Sequence, residues 1–207
     1  MQCPSCGHPD AKAADDCGRC GFNLGALDGL LGSRQVTVDP LIDLASCLNI
    51  ADAQKVRTLL DAFERRFPQI AITVFIGDLP SGVNPAMAGM WLINHASLER
   101  QGQAREGSFA VAVIINPVTS QAGVATGYAV EEALSSAGLH AWLSRAAPLL
   151  WHQEHAKAIR LIVDGIDQTL RAHGQARRRQ ISAVPAEPHL GLPALEPTQS
   201  DFSAPPQ

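Results

Sequence analysis

The sequence predicts an α/β fold, a three-layer α/β/α sandwich on a mixed sheet. Three observations carry it. Two apolar, β-branched runs, IAITVFIG (70–77) and FAVAVIIN (109–116), read as strands buried on both faces. Segments with three- and four-residue apolar spacing flank them and read as amphipathic helices. The connection PVTS between FAVAVIIN and QAGVATG (121–127) is short enough for an antiparallel hairpin. A sheet holding both that hairpin and helix-separated strands is mixed.

The elements follow in order. The chain opens with two tight cysteine pairs, Cys3-x2-Cys6 and Cys17-x2-Cys20. Two intervening residues let both sulfurs of a pair face one ion, and two pairs make the tetrahedral four-thiolate set of structural zinc. Gly7 and Gly21 each follow the second cysteine of a pair, where the turn calls for a positive φ. The opening MQCPSC has neither a basic n-region nor an apolar h-region, so the expectation is a cytoplasmic chain with reduced thiols. A four-thiolate site has no open position for substrate, so the ion is structural rather than catalytic. His8 is not needed as a ligand and reads as a surface residue. Cys47 stands alone among apolar neighbours and reads as an inert thiol.

The glycine-rich stretch 21–35 reads as a flexible connection. Asn49 is an N-cap, with Asp52 in the first turn, for a helix to about Phe67. Val56, Leu59, Leu60, Phe63 and Phe67 form its apolar stripe, and Pro68 ends it. After the first strand and the loop GDLPSG (77–82), Asn84-Pro85 opens a second helix to about Arg100. QGQAREG (101–107) is a polar loop. Beyond the hairpin, Glu131 begins a helical region that Pro148 breaks. A long helix follows, with Ala156, Ile159, Val163, Ile166 and Leu170 inward. After Gly174 come the arginines 177–179, read as a solvated helix end, and a proline-rich tail read as disordered. The domain reading is a zinc ribbon at 1–24, a linker at 25–35, a folded domain at 36–173 and a tail at 174–207.

The chain has 207 residues, 46% hydrophobic and 17% charged, which suits one medium domain with a core. Its net charge of −4, and aspartates 10, 15 and 16 beside Lys12 and Arg19 in the ribbon, disfavour nucleic acid. No apolar run approaches the ~20 residues of a membrane span. The sequence carries no signal of oligomeric state.

Two stretches resemble a known family. LIDLASCLNIADAQKVRTLLDAFERRFPQIAITVF (41–75) is similar to the opening of a TPM domain: an aspartate, a short cap, an amphipathic helix, then a strand. GSFAVAVIINPVTSQAGVATGYAVEEAL (107–134) resembles that family's strand, hairpin and Gly-Tyr-x-x-Glu turn into a helix. The resemblance covers roughly residues 36–173. It implies the same α/β/α sandwich, and the family's links to acid phosphatase activity, calcium binding and assembly of membrane complexes. Asp43 matches its early aspartate, and Gly127, Tyr128 and Glu131 match its turn. Asn116 stands where the family usually has an aspartate, and Ala129 where it has a second glycine. The N-terminal stretch resembles the small zinc ribbons of many bacterial proteins.

Asp43, Asp78, Asn116 and Glu131, with Gly127 and Tyr128, are the candidate cation or ligand site, converging at the strand ends. Calcium is the hard cation such oxygens suit. The alternative is that Asp43 caps a turn and Glu131 favours a helix dipole. Tyr128 either borders a ligand crevice or belongs to the core. His95, His140, His152 and His155 could serve as acids or bases, with His152 and His155 on one helix face. No nucleophile or third partner accompanies them, so no catalytic residue is assigned. The expected function is an accessory protein whose ribbon and TPM-like domain bind a protein partner, such as a membrane or envelope complex. The alternative is a weak, cation-dependent acid phosphatase.

Overall fold

A computed structural model describes residues 3–9, 16–100, 103–105 and 107–183. Its centre is a four-stranded mixed sheet in the order β2-β3-β6-β7. These strands are β2 (Leu41–Asp43), β3 (Ala71–Ile76), β6 (Ala110–Asn116) and β7 (Gln121–Thr126). β2, β3 and β6 run parallel, and β7 closes the expected antiparallel hairpin with β6. β6 is buried along its whole length. Its side chains alternate between two cores, as the two-residue period of a strand requires.

Val111, Val113 and Ile115 join Ile72, Val74 and Ile76 in one core. The helices α2 (Ile50–Arg66), α5 (Ser136–Trp151) and α6 (His155–Ala183) cover that face. Ala110, Ala112 and Ile114 face the other core, covered by α1 (Leu24–Leu31) and α3 (Pro85–His95). The fold is thus the expected α/β/α sandwich. Alanines on the second face bring α3 close. A Cβ at Gly89 would lie 2.8 Å from that of Ala125.

α2 begins as the sequence predicts: Asn49 Oδ1 accepts the Asp52 amide at 2.9 Å. Its stripe is buried at Val56, Leu60 and Phe63. On α6, Ile159, Val163, Ile166 and Leu170 are buried as expected, and Ala156 is half-buried.

Several expectations are corrected. Residues 24–31, read as a flexible linker, form α1, which Asn23 caps and which buries Leu27. Trp91 Nε1 donates to the Gly32 carbonyl at 2.8 Å, and His95 Nε2 lies 3.1 Å from Asp28, so α3 holds α1 from two positions. The second helix stops at His95. Residues 96–100, read as its last turns, form β4 (Ala96–Arg100) instead. β4 pairs in parallel with β1 (Val36–Thr37), so strand pairing with a distant segment overrides local helix periodicity. The polar loop after it contains β5 (Gln103–Arg105), antiparallel to β4.

Pro148 does not break its helix. α5 runs through it to Trp151. Pro148 and Ser144 are both exposed, so water satisfies the carbonyl that the missing N–H leaves unpaired. The break falls at Gln153, whose φ is +60°. Gln153 N donates to Leu150 O, and Glu154 N to Leu149 O at 2.8 Å, the bonding pattern of a left-handed helix stop. α6 continues past Gly174 to Ala183, with arginines 177–179 exposed on it. The rest of the tail read as disordered, 184–207, lies outside the described residues.

Candidate functional site

The four cysteines come together. The Sγ atoms of Cys3, Cys6, Cys17 and Cys20 all lie within 4.8 Å of one another. Cys3–Cys20 is 3.7 Å and Cys6–Cys17 is 3.8 Å. A tetrahedral thiolate site with bonds of about 2.3 Å has edges of about 3.8 Å. A disulfide would need about 2.05 Å, and all four cysteines are free. The donor set therefore fits a four-coordinate metal ion.

Backbone geometry builds this set twice over. Gly7 N donates to Cys3 O, and Gly21 N to Cys17 O, each at 2.8 Å. Both turns need the left-handed conformation, and Gly7 (φ +71°) and Gly21 (φ +69°) supply it as expected. Cys3 N donates to His8 O and Cys17 N to Phe22 O, closing each knuckle. Amides of Arg19 and Cys20 point at Cys17 and pull its thiol down to about 6. At Cys6 the His8 amide pulls downward, but burial and the three neighbouring sulfurs push the thiol up to about 11. Binding a cation to four cysteines displaces their thiol protons.

Two asparagines tie the knuckles to helices. Asn84 caps α3 by accepting the Met87 amide at 2.9 Å, and its Nδ2 donates to the Pro4 carbonyl at 3.0 Å. Asn23 caps α1 by accepting the Ala26 amide and donates to Asp16 at 2.7 Å. Each side chain uses its carbonyl for a helix and its amide for a knuckle. The first knuckle and α5 border a cleft of about 590 Å³ that includes His140 and Glu131.

The predicted oxygen site does not assemble. Asp43 pairs in register with Ile76 of β3, and Asn116 ends β6, so Asp43, Asp78 and Asn116 lie at the carboxyl edge of the parallel strands. Gly127, Tyr128 and Glu131 follow β7, which runs the other way. Thr126 pairs with Val111, at the start of β6. Five residues of strand, roughly 16 Å, separate the two groups. The antiparallel hairpin that was correctly expected is what splits them.

Each residue has a local role instead. Asp43 accepts the amides of Cys47 and Leu48 through its two carboxylate oxygens, at 3.1 and 2.8 Å. Asn116 accepts those of Val118 and Thr119. Asp78 accepts the neighbouring Leu79 amide and is exposed. Gly127 has an ordinary φ of −65°. It is glycine because a Cβ would meet the Gly107 carbonyl at 2.2 Å. Tyr128 is 74% exposed, which removes its core reading. Glu131 lies on a short helix, α4 (Tyr128–Glu131). Among the described residues, the four cysteines are the only His, Cys, Asp and Glu cluster that could hold a metal.

The histidines also separate. His95 stacks on Trp91 and pairs with Asp28. His152 and His155, expected on one helix face, lie on either side of the α5–α6 break. His152 is exposed, and His155 is buried at the first position of α6. Cys47 is half-buried, and burial, with the charge of Asp43, raises its thiol above the ordinary range, as an inert cysteine requires. The sequence did not bring Cys47 and His155 together; the structure sets both around one cleft.

No family model and no curated protein matches the chain. Among solved structures, it is similar to the N-terminal domain of the cg2496 protein from Corynebacterium glutamicum, determined by solution NMR. Identity is 16%, the match covers 68% of this chain and 85% of that one, and the TM-score is 0.49. No helix among the described residues is long and apolar enough to cross a membrane.

Proposed function

We propose that the chain is an accessory protein: a zinc-stapled sandwich of the TPM type that binds a protein partner through the carboxyl edge of its sheet. The observation that carries this reading is a set of exposed apolar side chains at that edge. Leu44 follows β2 and is 73% exposed; Val118 sits in the β6–β7 turn at 73%. Ile50 opens α2 at 91%, and Trp151 ends α5 at 75%. Leu150, beside that tryptophan, borders the same cleft as Gln121 and Ala122 at the start of β7. Burying a side chain of this size is worth about 1.5–3 kcal/mol, and a tryptophan is a frequent energetic anchor of interfaces. The carboxyl ends of parallel strands are also where open α/β sheets bind their ligands.

Zinc is the ion that best suits four thiolates at these spacings, and its closed shell fits a staple rather than a reaction centre. The phosphatase alternative loses support, because its acidic set is divided between opposite edges and Asp43 is occupied by two backbone amides. The test is affinity capture from the native cell under gentle conditions. Leu44→Asp and Trp151→Asp should abolish capture of a stoichiometric partner, and Tyr128→Ser, at the far edge, should preserve it. Retention by both carboxyl-edge variants would refute the proposed surface.

A further inference from the structure

β7 is the last strand of the central sheet. Gly127 N donates to Ala110 O at 2.8 Å, which sets the alternation of the ladder. Gly123 and Ala125 turn their backbone groups to β6, and Ala122, Val124 and Thr126 turn theirs outward. Among the described residues no backbone bond meets that outer side. A bare edge invites pairing with another chain, and proteins guard it with charge, proline, a bulge or a cover. QAGVAT has no charge and no proline, and its six pairs with β6 run in unbroken register. The guard that remains is a cover.

The edge lies on the floor of a groove. Clefts of about 500 and 590 Å³ meet along it, sharing Pro4, Ala86, Val124, His140 and Leu143. The groove runs from Gln121 to Thr126. α5 forms one wall, and the first knuckle with the start of α3 forms the other. Ala122, Val124 and Thr126 are half-buried in it. Walls on both sides admit one extended strand, whereas the β7 of a second copy would arrive with walls of its own.

We propose that this groove takes a peptide strand, and that its occupant is the chain's own segment 190–196, paired antiparallel to β7. The segment starts within reach. Arg177 of α6 pairs with Glu132 at 3.4 Å, beside Glu131, which lines the groove at its Thr126 end. From Arg177 to Ala183 the helix advances about 9 Å, and residues 184–189 can return up to about 20 Å. HLGLPALE (189–196) holds three leucines and one proline, Pro193. Setting Leu190, Leu192 and Ala194 opposite Thr126, Val124 and Ala122 satisfies the outward backbone groups. It also leaves Pro193 where its missing N–H would face away from β7, the position a strand proline tolerates. Leu190 and Leu192 then share the face of Val124, toward Leu139 and Leu143 of α5. The inference stands without the partner surface at the carboxyl edge.

The experiment is amide hydrogen exchange by NMR on the full, metal-loaded chain. The amides of Ala122, Val124 and Thr126 should be protected, at a level independent of protein concentration. Leu192→Asp removes an apolar contact, and Ala194→Pro removes an N–H that the pairing uses. Both changes lie outside the sandwich, so its fold is not at stake. Each should speed exchange of those three amides at least about tenfold, and leave Gly123 and Ala125, bonded to β6, unchanged. Fast exchange of the three amides in the wild type would overturn the proposal. So would protection that survives both variants. If that surviving protection rises with protein concentration, the occupant is a second copy rather than the tail.

Discussion

The cysteine knuckles and the sandwich core are held together by opposite means. The core spreads its stability over many side chains, with Leu60, Ile72, Val74, Ile76, Val113 and Ile115 all essentially inaccessible. The knuckles have two buried cysteines, Cys3 and Cys17, and a pair of glycine turns. A segment that small buries too little apolar surface to order itself, and an ion held by the four thiolates would supply the difference. The core should therefore fail by degrees and the knuckles all at once.

That contrast can be broken at its strongest point first. Cys17→Ser, or a strong chelator, should unfold residues 3–9 and 16–22 while the sandwich stays folded. Apparent binding of a structural zinc is worth roughly 10–16 kcal/mol at neutral pH. Amide NMR should show dispersion lost in those residues alone. Collapse of the β3 and β6 resonances with them would mean that the two regions are one cooperative unit.

Core truncation is the converse. Leu60→Ala should cost about 2–5 kcal/mol in urea unfolding and leave metal affinity in the folded protein unchanged. Asn84→Ala tests the seam between the regions. It removes the α3 cap, at a cost of about 1 kcal/mol, and frees Pro4, so chelator should strip the metal faster. A change in stability without a change in stripping rate would show that the knuckle does not lean on α3.

The smallest effects lie far from the knuckles. Gln153→Gly should stabilise the chain by up to ~1 kcal/mol, because glycine accepts the left-handed φ that glutamine endures. His155 should make the sandwich acid-sensitive. Its folded value is lowered by burial, so below the unfolded value of about 6.5 the unfolded chain binds more protons. Stability from this residue is complete above that pH and declines on acidification. Melting curves of His155→Asn should be flatter between about pH 7 and 5 than those of the wild type.

How much of this was legible in the sequence follows from which forces were local. The helix starts at Asn49 and Asn84 and the turns at Gly7 and Gly21 are set within three or four residues, and each was read correctly, whereas the bond from Asn84 to the distant Pro4 was not. The double-sided burial of β3 and β6 was visible as unbroken apolar runs. Pairing between distant segments was not. Ala96 and Ser97 meet Val36 and Thr37 across about sixty residues, and nothing near either stretch announces it. α1 was legible in part, since Asn23 precedes leucines at 24, 27, 30 and 31, but glycines at 25 and 29 obscured the spacing. The candidate oxygen site failed for a topological reason. Hairpin and parallel strands were both expected, and following β7 back along β6 would have put Glu131 at the far edge.

The most direct test of the account is cobalt substitution of the purified chain. A tetrahedral four-thiolate site predicts one cobalt per chain, with intense visible absorption from sulfur-bound, four-coordinate metal. Each single Cys→Ser change at 3, 6, 17 or 20 should remove or shift those bands. A pale octahedral spectrum, or full binding after loss of any one cysteine, would contradict the staple on which this reading of the molecule rests.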